Sequence, residues 1–163
     1  MASEKIWLIT GASRGIGLAA ARLTVAGGNR VALLARGEAV HQAAAELGSD
    51  ALGVQADVAD PESVAAAVEQ VVSHFGGLDV VVNNAGLHRG GKVGRLALDD
   101  WQAVINTNLT GALNVISAAR PHLTRVVPAR VLQTLSLGHE RTQRTTATYF
   151  SKRQTRARSA SET

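Results

Sequence analysis

Cysteine is absent from the 163 residues, which excludes a disulfide scaffold, thiol chemistry and cysteine-ligated zinc. Aromatic residues are only 3% of the chain, so Ala, Val, Leu and Ile must fill any core. No stretch approaches the run of about 18 apolar residues that a membrane-spanning helix needs. The opening stretch, MASEKIWLIT, reaches Gly11 before an apolar signal core can form, so no secretion signal is expected. Charged residues make up 18% against 45% hydrophobic, too few charges and too much apolar material for wholesale disorder. The expectation is a cytoplasmic globule of about one domain, without a membrane partner.

The net charge of +4 is unevenly divided. Residues 1–119 carry 8 Lys/Arg against 11 Asp/Glu, whereas residues 120–163 carry 9 against 2. Beyond Phe150 the only hydrophobic residues are Ala157 and Ala160. Residues 1–152 therefore read as the folded domain, and residues 153–163 as a basic, polar tail expected to be disordered. Lys152, Arg153, Arg156 and Arg158 could contact phosphates. No aromatic follows Phe150 to stack a base and no nucleic-acid motif accompanies them, so nucleic acid is not the expected partner.

Periodicity gives alternating strands and helices. Lys5–Thr10, Arg30–Ala35, Ala51–Ala56, Leu78–Val82 and Ala129–Leu135 read as short strands, rich in Val, Leu and Ile and without polar alternation. Such strands belong to a sheet covered on both faces. Helices are expected from about Ile16 to Ala26, over Ala39–Leu47 with Gly48 as its stop, and from Pro61 with Asp60 as cap. In the third of these Val64, Val68, Val71, Val72 and Phe75 form one apolar face. Asp99 or Asp100 is expected to cap a further helix through Trp101. Leu109, Leu113, Ile116 and Leu123 mark the next, ended by Pro121 and Pro128. Leu87–Arg95 reads as a mobile loop. Crossovers of this length imply an α/β fold with a doubly wound parallel sheet, Rossmann-like.

The first strand runs into Thr10-Gly11-Ala12-Ser13-Arg14-Gly15-Ile16-Gly17, directly before a helix. Gly11 permits a sharp turn off the strand, Gly15 a close backbone approach to a pyrophosphate, and Gly17 close packing of helix on sheet. The helix N-terminus then offers unpaired N–H groups and a positive dipole end to the anion. A glycine triplet alone is a weak signal; between strand and helix of the first βαβ unit it is much stronger.

The T-G-x-x-x-G-x-G pattern resembles that of the short-chain dehydrogenase/reductases. Three further stretches resemble the family at its expected places: Asp57-Val58 after the third strand, Asn83-Asn84-Ala85-Gly86 after the fourth, and Asn108-Leu109-Thr110-Gly111. The resemblance covers residues 5 to about 152. It implies contacts to a dinucleotide from Gly11, Ser13, Arg14, Gly15, Ile16 and Gly17, from Asp57 and Val58 at the adenine, and from Asn84, Ala85 and Gly86. It also implies a small carbonyl/alcohol substrate, and a homodimer or homotetramer formed through the long fourth and fifth helices.

An NAD-selective fold places an acid at the end of the second strand, where it bonds the ribose 2′-hydroxyl. Here Ala35 is followed by Arg36, with Arg14 inside the glycine turn. Two guanidinium groups and no carboxylate suit a 2′-phosphate, so NADP(H) is the expected cofactor and NAD(H) the other one open. An ordinary solvated charge at Arg36 is the alternative.

The resemblance assigns proton transfer to Tyr149, substrate-oxygen binding to Ser136, water ordering to Asn108, and ribose positioning with tyrosine pKa lowering to Lys152. A tyrosine with its usual pKa of about 10 is too little ionised at neutral pH without a cation beside it. The family pattern is Y-x-x-x-K. This chain reads Tyr149-Phe150-Ser151-Lys152-Arg153, with lysine at i+3 and arginine at i+4. An i+3 side chain lies about 100° around the helix from an i+4 one, and arginine's planar head does not replace an ammonium. A match, a one-residue slip and then unrelated basic residues are what a truncated or frame-altered coding sequence produces. The sheet is therefore expected to be incomplete at its C-terminal edge.

Plainer roles stand beside these. Thr10 and Ser13 can satisfy the turn's backbone, Asn108 can be a helix cap, Asn84 and Gly86 can be structural, and Ser136 can be an idle strand-end serine. The histidines at 41, 74, 88, 122 and 139 have no ligand spacing, and no metal is expected. His88, Arg89 and Lys92 read as a solvated loop beside the site.

Overall fold

Five of the apolar runs become parallel strands in a computed structural model that describes residues 4–89, 96–123 and 130–134. They are β1 (Ile6–Thr10), β2 (Arg30–Ala35), β3 (Ala51–Gln55), β4 (Val80–Asn83) and β5 (Arg130–Gln133), in the order β3-β2-β1-β4-β5. Trp7 faces Val31 on one side and Val80 on the other, and Val82 faces Leu132. The order reverses between β1 and β4, the crevice where open parallel sheets bind their ligands. The expected α/β, doubly wound, Rossmann-like sheet is present.

Two cores result from the strand period of two. Ile6, Leu8, Ala32, Leu34, Val54 and Val81 pack against α3 (Pro61–Phe75) and α5 (Gly111–Leu123). Ile9, Val31, Leu33, Val80 and Val82 pack on the opposite face against α1 (Gly15–Ala26) and α2 (Ala39–Ala45). Leu8 and Ile9, consecutive in β1, are both 0% exposed, which explains why the strands lack polar alternation.

Asp60 caps α3 as its sequence suggests, accepting from the Glu62 and Ser63 N–H groups, with Pro61 in the first turn. Val64, Ala67, Val68, Val71 and Phe75 form its buried stripe. Two other expectations are corrected. α4 (Leu98–Ile105) begins after Ala97 with no side-chain cap, and Asp99 and Asp100 lie inside its first turn, where the helix dipole favours them. Asp100 accepts from Arg89 at 2.6 Å. In α5 the buried residues are Gly111, Ala112, Val115, Ala119 and Leu123, while Leu113 is half exposed and Pro121 lies within the last turn rather than beyond it. Small residues face inward because α5 approaches the chain after β3 closely. A Cβ at Gly111 would stand 2.7 Å from Val58 Cγ2. Between α4 and α5 one π-helical turn, Asn106–Thr110, adds a residue and shifts the phase of the buried face.

The lower end of β1 is clamped by a side chain. Asp79 Oδ2 accepts from the Ile6 N–H at 2.8 Å, and the Asp79 N–H donates to the Ile6 carbonyl at 2.9 Å. Asp79 thereby extends the β1–β4 pairing by one residue beyond β4. Asp79→Ala leaves the Ile6 N–H without its acceptor and is expected to cost about 1.5–3 kcal/mol, read as a lower urea midpoint at unchanged slope; an unchanged midpoint would show that the clamp contributes nothing.

Candidate functional site

The site is built on the C-terminal ends of β1 and β4. Gly11, at φ +66°, turns the chain off β1, and the Gly11 and Ala12 N–H groups both donate to the Leu34 carbonyl at the end of β2, at 2.7 and 3.3 Å. Only glycine fits: a Cβ there would lie 2.8 Å from Ala85 Cα.

Thr10 is 1% exposed, and its hydroxyl serves the chain leaving β4 rather than its own turn. Thr10 Oγ1 accepts from the Asn84 N–H at 3.0 Å and the Ala85 N–H at 2.9 Å, and donates to the Val82 carbonyl at 3.4 Å. One donor and two lone pairs are fully used. Asn84 answers in the other direction, its Nδ2 donating to the Thr10 and Gly11 carbonyls at 3.0 and 3.3 Å. Gly17 has no side chain where this amide passes: a Cβ would stand 2.6 Å from both Asn84 Nδ2 and the Gly11 carbonyl oxygen. Close packing at Gly17 is thus against Asn84, just after β4, and the turn.

The N-terminus of α1 is open. Arg14 stands at the cap position in an extended conformation without a side-chain cap hydrogen bond, and the first turn holds no acidic residue. Gly15 has φ +58°, and apart from its chain neighbours and its own helix backbone no atom lies within 4 Å of where a Cβ would be. Ile16 beside it is 75% exposed. Ser13 is half-buried in the turn. Arg14 and Arg36 are both exposed at this end of the sheet, and Arg36 lends its carbonyl to Gln55 Nε2 at 2.8 Å.

Asp57 and Val58 follow β3 at the same end. Asp57 Oδ1 accepts from the Ala59 N–H at 2.9 Å, an Asx turn, and Ser63 Oγ accepts from the Asp57 N–H at 3.3 Å. Val58 is buried, and its carbonyl accepts from Asn114 Nδ2 at 2.9 Å.

Asn108 is 1% exposed and lies in the π-helical turn, so it caps no helix. Its side chain pairs with one residue of the chain after β4: Oδ1 accepts from the Leu87 N–H at 2.7 Å and Nδ2 donates to the Leu87 carbonyl at 2.9 Å. Ala85 is half-buried and Gly86 exposed between this pairing and Asn84. Ser136, Tyr149 and Lys152, the remaining sequence candidates, lie outside the described residues, as does the basic tail.

Sequence reasoning passed over Asn114 and Thr134, and quoted Asn83 only within the Asn83-Asn84-Ala85-Gly86 stretch, without a role of its own. Asn83 Nδ2 donates to the Ala112 carbonyl, joining β4 to α5 at 3.3 Å. Thr134 Oγ1 donates to Asn84 Oδ1 at 3.2 Å, joining the end of β5 to the Thr10–Asn84 exchange. Asn114 has been described. Their partners lie 29, 50 and 56 residues away, beyond any local pattern. The one available signal was an asparagine one turn after Gly111, on the same side of the helix. Among the described residues no group of His, Asp or Glu is arranged to hold a metal, and no helix is long and apolar enough to cross a membrane.

A family model described as short chain dehydrogenase matches residues 5–154. The chain belongs to that family. The 3-oxoacyl-(acyl-carrier-protein) reductase FabG of Staphylococcus aureus strain Mu50 is 42% identical over 130 residues, covering 77% of this chain and 53% of that protein. The chain therefore spans about half the length of that relative. Among solved structures, the 3-ketoacyl-(acyl-carrier-protein) reductase of Brucella melitensis, complexed with NADH, superposes with a TM-score of 0.88 at 29% identity, over 96% of this chain and 68% of that one. The L-sorbose reductase of Gluconobacter frateurii, complexed with NADPH and L-sorbose, gives 0.88 at 30% identity, over 98% and 63%.

The glycines differ in what a side chain would meet. Gly17→Ala drives a methyl into Asn84 and is expected to cost about 1–3 kcal/mol. Gly15→Ala meets no atom and costs only the left-handed backbone, about 1–2 kcal/mol. Adding Asn84→Ala to Gly17→Ala removes one of the clashing groups, so in denaturant unfolding the double variant should lose less than the two single losses combined. Strict additivity would place the strain elsewhere.

Proposed function

We propose that the ends of β1 to β4 hold a nicotinamide dinucleotide, NADP(H) in preference to NAD(H), and that the protein is an oxidoreductase acting on a small carbonyl/alcohol pair in the cytoplasm. The observation that carries this reading is the uncapped α1 N-terminus, with no acid in its first turn and open space at Gly15. Backbone N–H groups there suit a diphosphate. The donor set fits the rest of the molecule: Arg14 and Arg36 suit a 2′-phosphate, and Asp57 with Val58 offers a carboxylate oxygen and an N–H to an aminopyrimidine edge. The relatives complexed with NADH and NADPH support a nicotinamide cofactor for this chain.

When bound, the dinucleotide supplies or accepts the hydride. The chain's own residues then handle the oxygen and the proton. Ser136 hydrogen-bonds the substrate oxygen, Tyr149 gives or takes the proton at that oxygen, and Lys152 places positive charge beside the phenol and positions the ribose. Asn108 orders water in the proton path, and its pairing with Leu87 fixes the adjoining segment. Assembly as a homodimer or homotetramer is supported by Leu98 and Leu113 on α4 and α5, 76% and 50% exposed.

The spacing Tyr149-x-x-Lys152, one residue short of the family pattern, favours a second reading: a chain that holds the cofactor without turnover.

Titration with NADPH and NADH, followed by fluorescence of Trp7 and Trp101, tests the primary claim, with NADPH expected to bind more tightly. Binding of neither nucleotide by the folded protein would end this reading. Arg36→Glu is expected to weaken NADPH by about tenfold or more and to narrow or reverse the preference; an unchanged ratio of affinities would remove Arg36 from phosphate recognition. Tyr149→Phe is expected to abolish turnover at unchanged NADPH affinity, whereas binding without turnover of any carbonyl or alcohol in a panel would decide for the second reading.

A further inference from the structure

The chain after β3 is held by α5 in a way that reaches the candidate base-binding carboxylate. Asn114 Nδ2 donates to the Val58 carbonyl at 2.9 Å, and the Ala59 N–H donates to Asp57 Oδ1 at 2.9 Å. The Val58 C=O and the Ala59 N–H are the two ends of one peptide unit. A trans peptide is planar, with its C=O and N–H pointing in opposite directions. Fixing the carbonyl therefore aims the N–H, and the N–H aims the carboxylate that accepts from it.

The approach of α5 that makes this contact depends on Gly111, one helical turn before Asn114 on the same side. A Cβ at residue 111 would meet Val58 Cγ2 at 2.7 Å, Val58 Cβ at 3.1 Å and the Val58 carbonyl oxygen at 3.2 Å. Val58 is thus packed under Gly111 through its side chain and gripped by Asn114 through its carbonyl. Ser63 Oγ, in the first turn of α3, accepts from the Asp57 N–H at 3.3 Å. The Asp57 turn is fixed at its N–H, its carboxylate and the following peptide. Oδ1 is committed to this turn, and Oδ2 is the oxygen left to face a ligand.

We propose that Asn114 is a positioning residue for base recognition: acting through the Val58–Ala59 peptide, it holds the Asp57 carboxylate so that Oδ2 accepts from the 6-amino group of an adenine nucleotide. The proposal rests on the dinucleotide reading above and adds a residue that touches neither cofactor nor substrate.

The test compares NADPH with its 6-deamino (purine) analogue, in which hydrogen replaces the 6-amino group and N1 remains an acceptor. Dissociation constants are measured by fluorescence titration for the full chain, for Asn114→Leu and for Asp57→Ala. The wild type is expected to bind NADPH about tenfold more tightly than the analogue, the scale of one hydrogen bond to a charged acceptor. Asn114→Leu is expected to bring that ratio close to one while leaving the affinity for the analogue within about twofold of wild type. In the Asp57→Ala background, adding Asn114→Leu should change neither affinity further. A merely structural role would weaken both nucleotides alike and preserve the ratio, and that result overturns the proposal, as does an unchanged ratio or a full effect of Asn114→Leu without Asp57. If Asn114→Leu does not fold, judged by circular dichroism, Asn114→Ser is read by the same outcomes, since its hydroxyl is too short to hold the Val58 carbonyl in place. A wild type that binds both nucleotides equally overturns this proposal alone; one that binds neither overturns the dinucleotide reading with it.

Discussion

Where the order of a parallel sheet reverses, two neighbouring strands send their chains away in opposite directions, and the backbone groups between them lose their ladder partners. Everything at the candidate site depends on how that gap is closed. Here one threonine hydroxyl and one asparagine amide close it reciprocally. Thr10 accepts two N–H groups from the β4 side, and Asn84 donates to two carbonyls on the β1 side. Buried backbone groups left unpaired are costly, so this exchange fixes the direction in which the glycine turn leaves β1. The opening of α1, the space at Gly15 and the approach of Gly17 to Asn84 follow from that direction.

The surrounding polar contacts extend the same arrangement. Asn108 holds Leu87, Asn83 reaches Ala112 on α5, and Asn114 grips Val58. Each joins a segment at the C-terminal end of a strand to a helix, where the sheet itself offers no further partner. Asparagine suits this work because its amide donates and accepts at once without bringing a charge into a buried setting. The nonpolar layers hold the sheet together, whereas the amides fix the shape of its functional end.

Much of this was legible in the chain before folding, and the reasons are local. Gly11 stands where no side chain fits and Gly15 at a left-handed backbone that glycine adopts most readily, so the turn and its position were readable. Asp60-Pro61 announced the start of α3, and five apolar residues at helical spacing announced its inward face. The inward face of α5 was misread because Leu109, Leu113 and Ile116 look like core residues, while the surface that packs is made of Gly111, Ala112, Val115 and Ala119. Close approach favours small side chains over large ones, and the π-helical turn moves the phase just before it. The roles of Thr10, Asn84 and Asn114 were hidden for another reason: their partners become neighbours only once the sheet has assembled.

The clamp at Asp79 bears on how β1 finds its alignment. In a sheet with one wet face, sliding a strand by a residue exposes its apolar side and is punished at once. β1 has no wet face, since Leu8 and Ile9 are equally sealed on opposite sides, and a slipped β1 would still present aliphatic groups to both. Hydrophobicity therefore cannot count residues along this strand. The counting is done at its two ends, by Asn29 Oδ1 on the Lys5 N–H and Asp79 Oδ2 on the Ile6 N–H below, and by the Thr10 hydroxyl above. A greasy central strand is threaded to the correct notch by three polar side chains, and the ligand-facing turn inherits its position from that indexing.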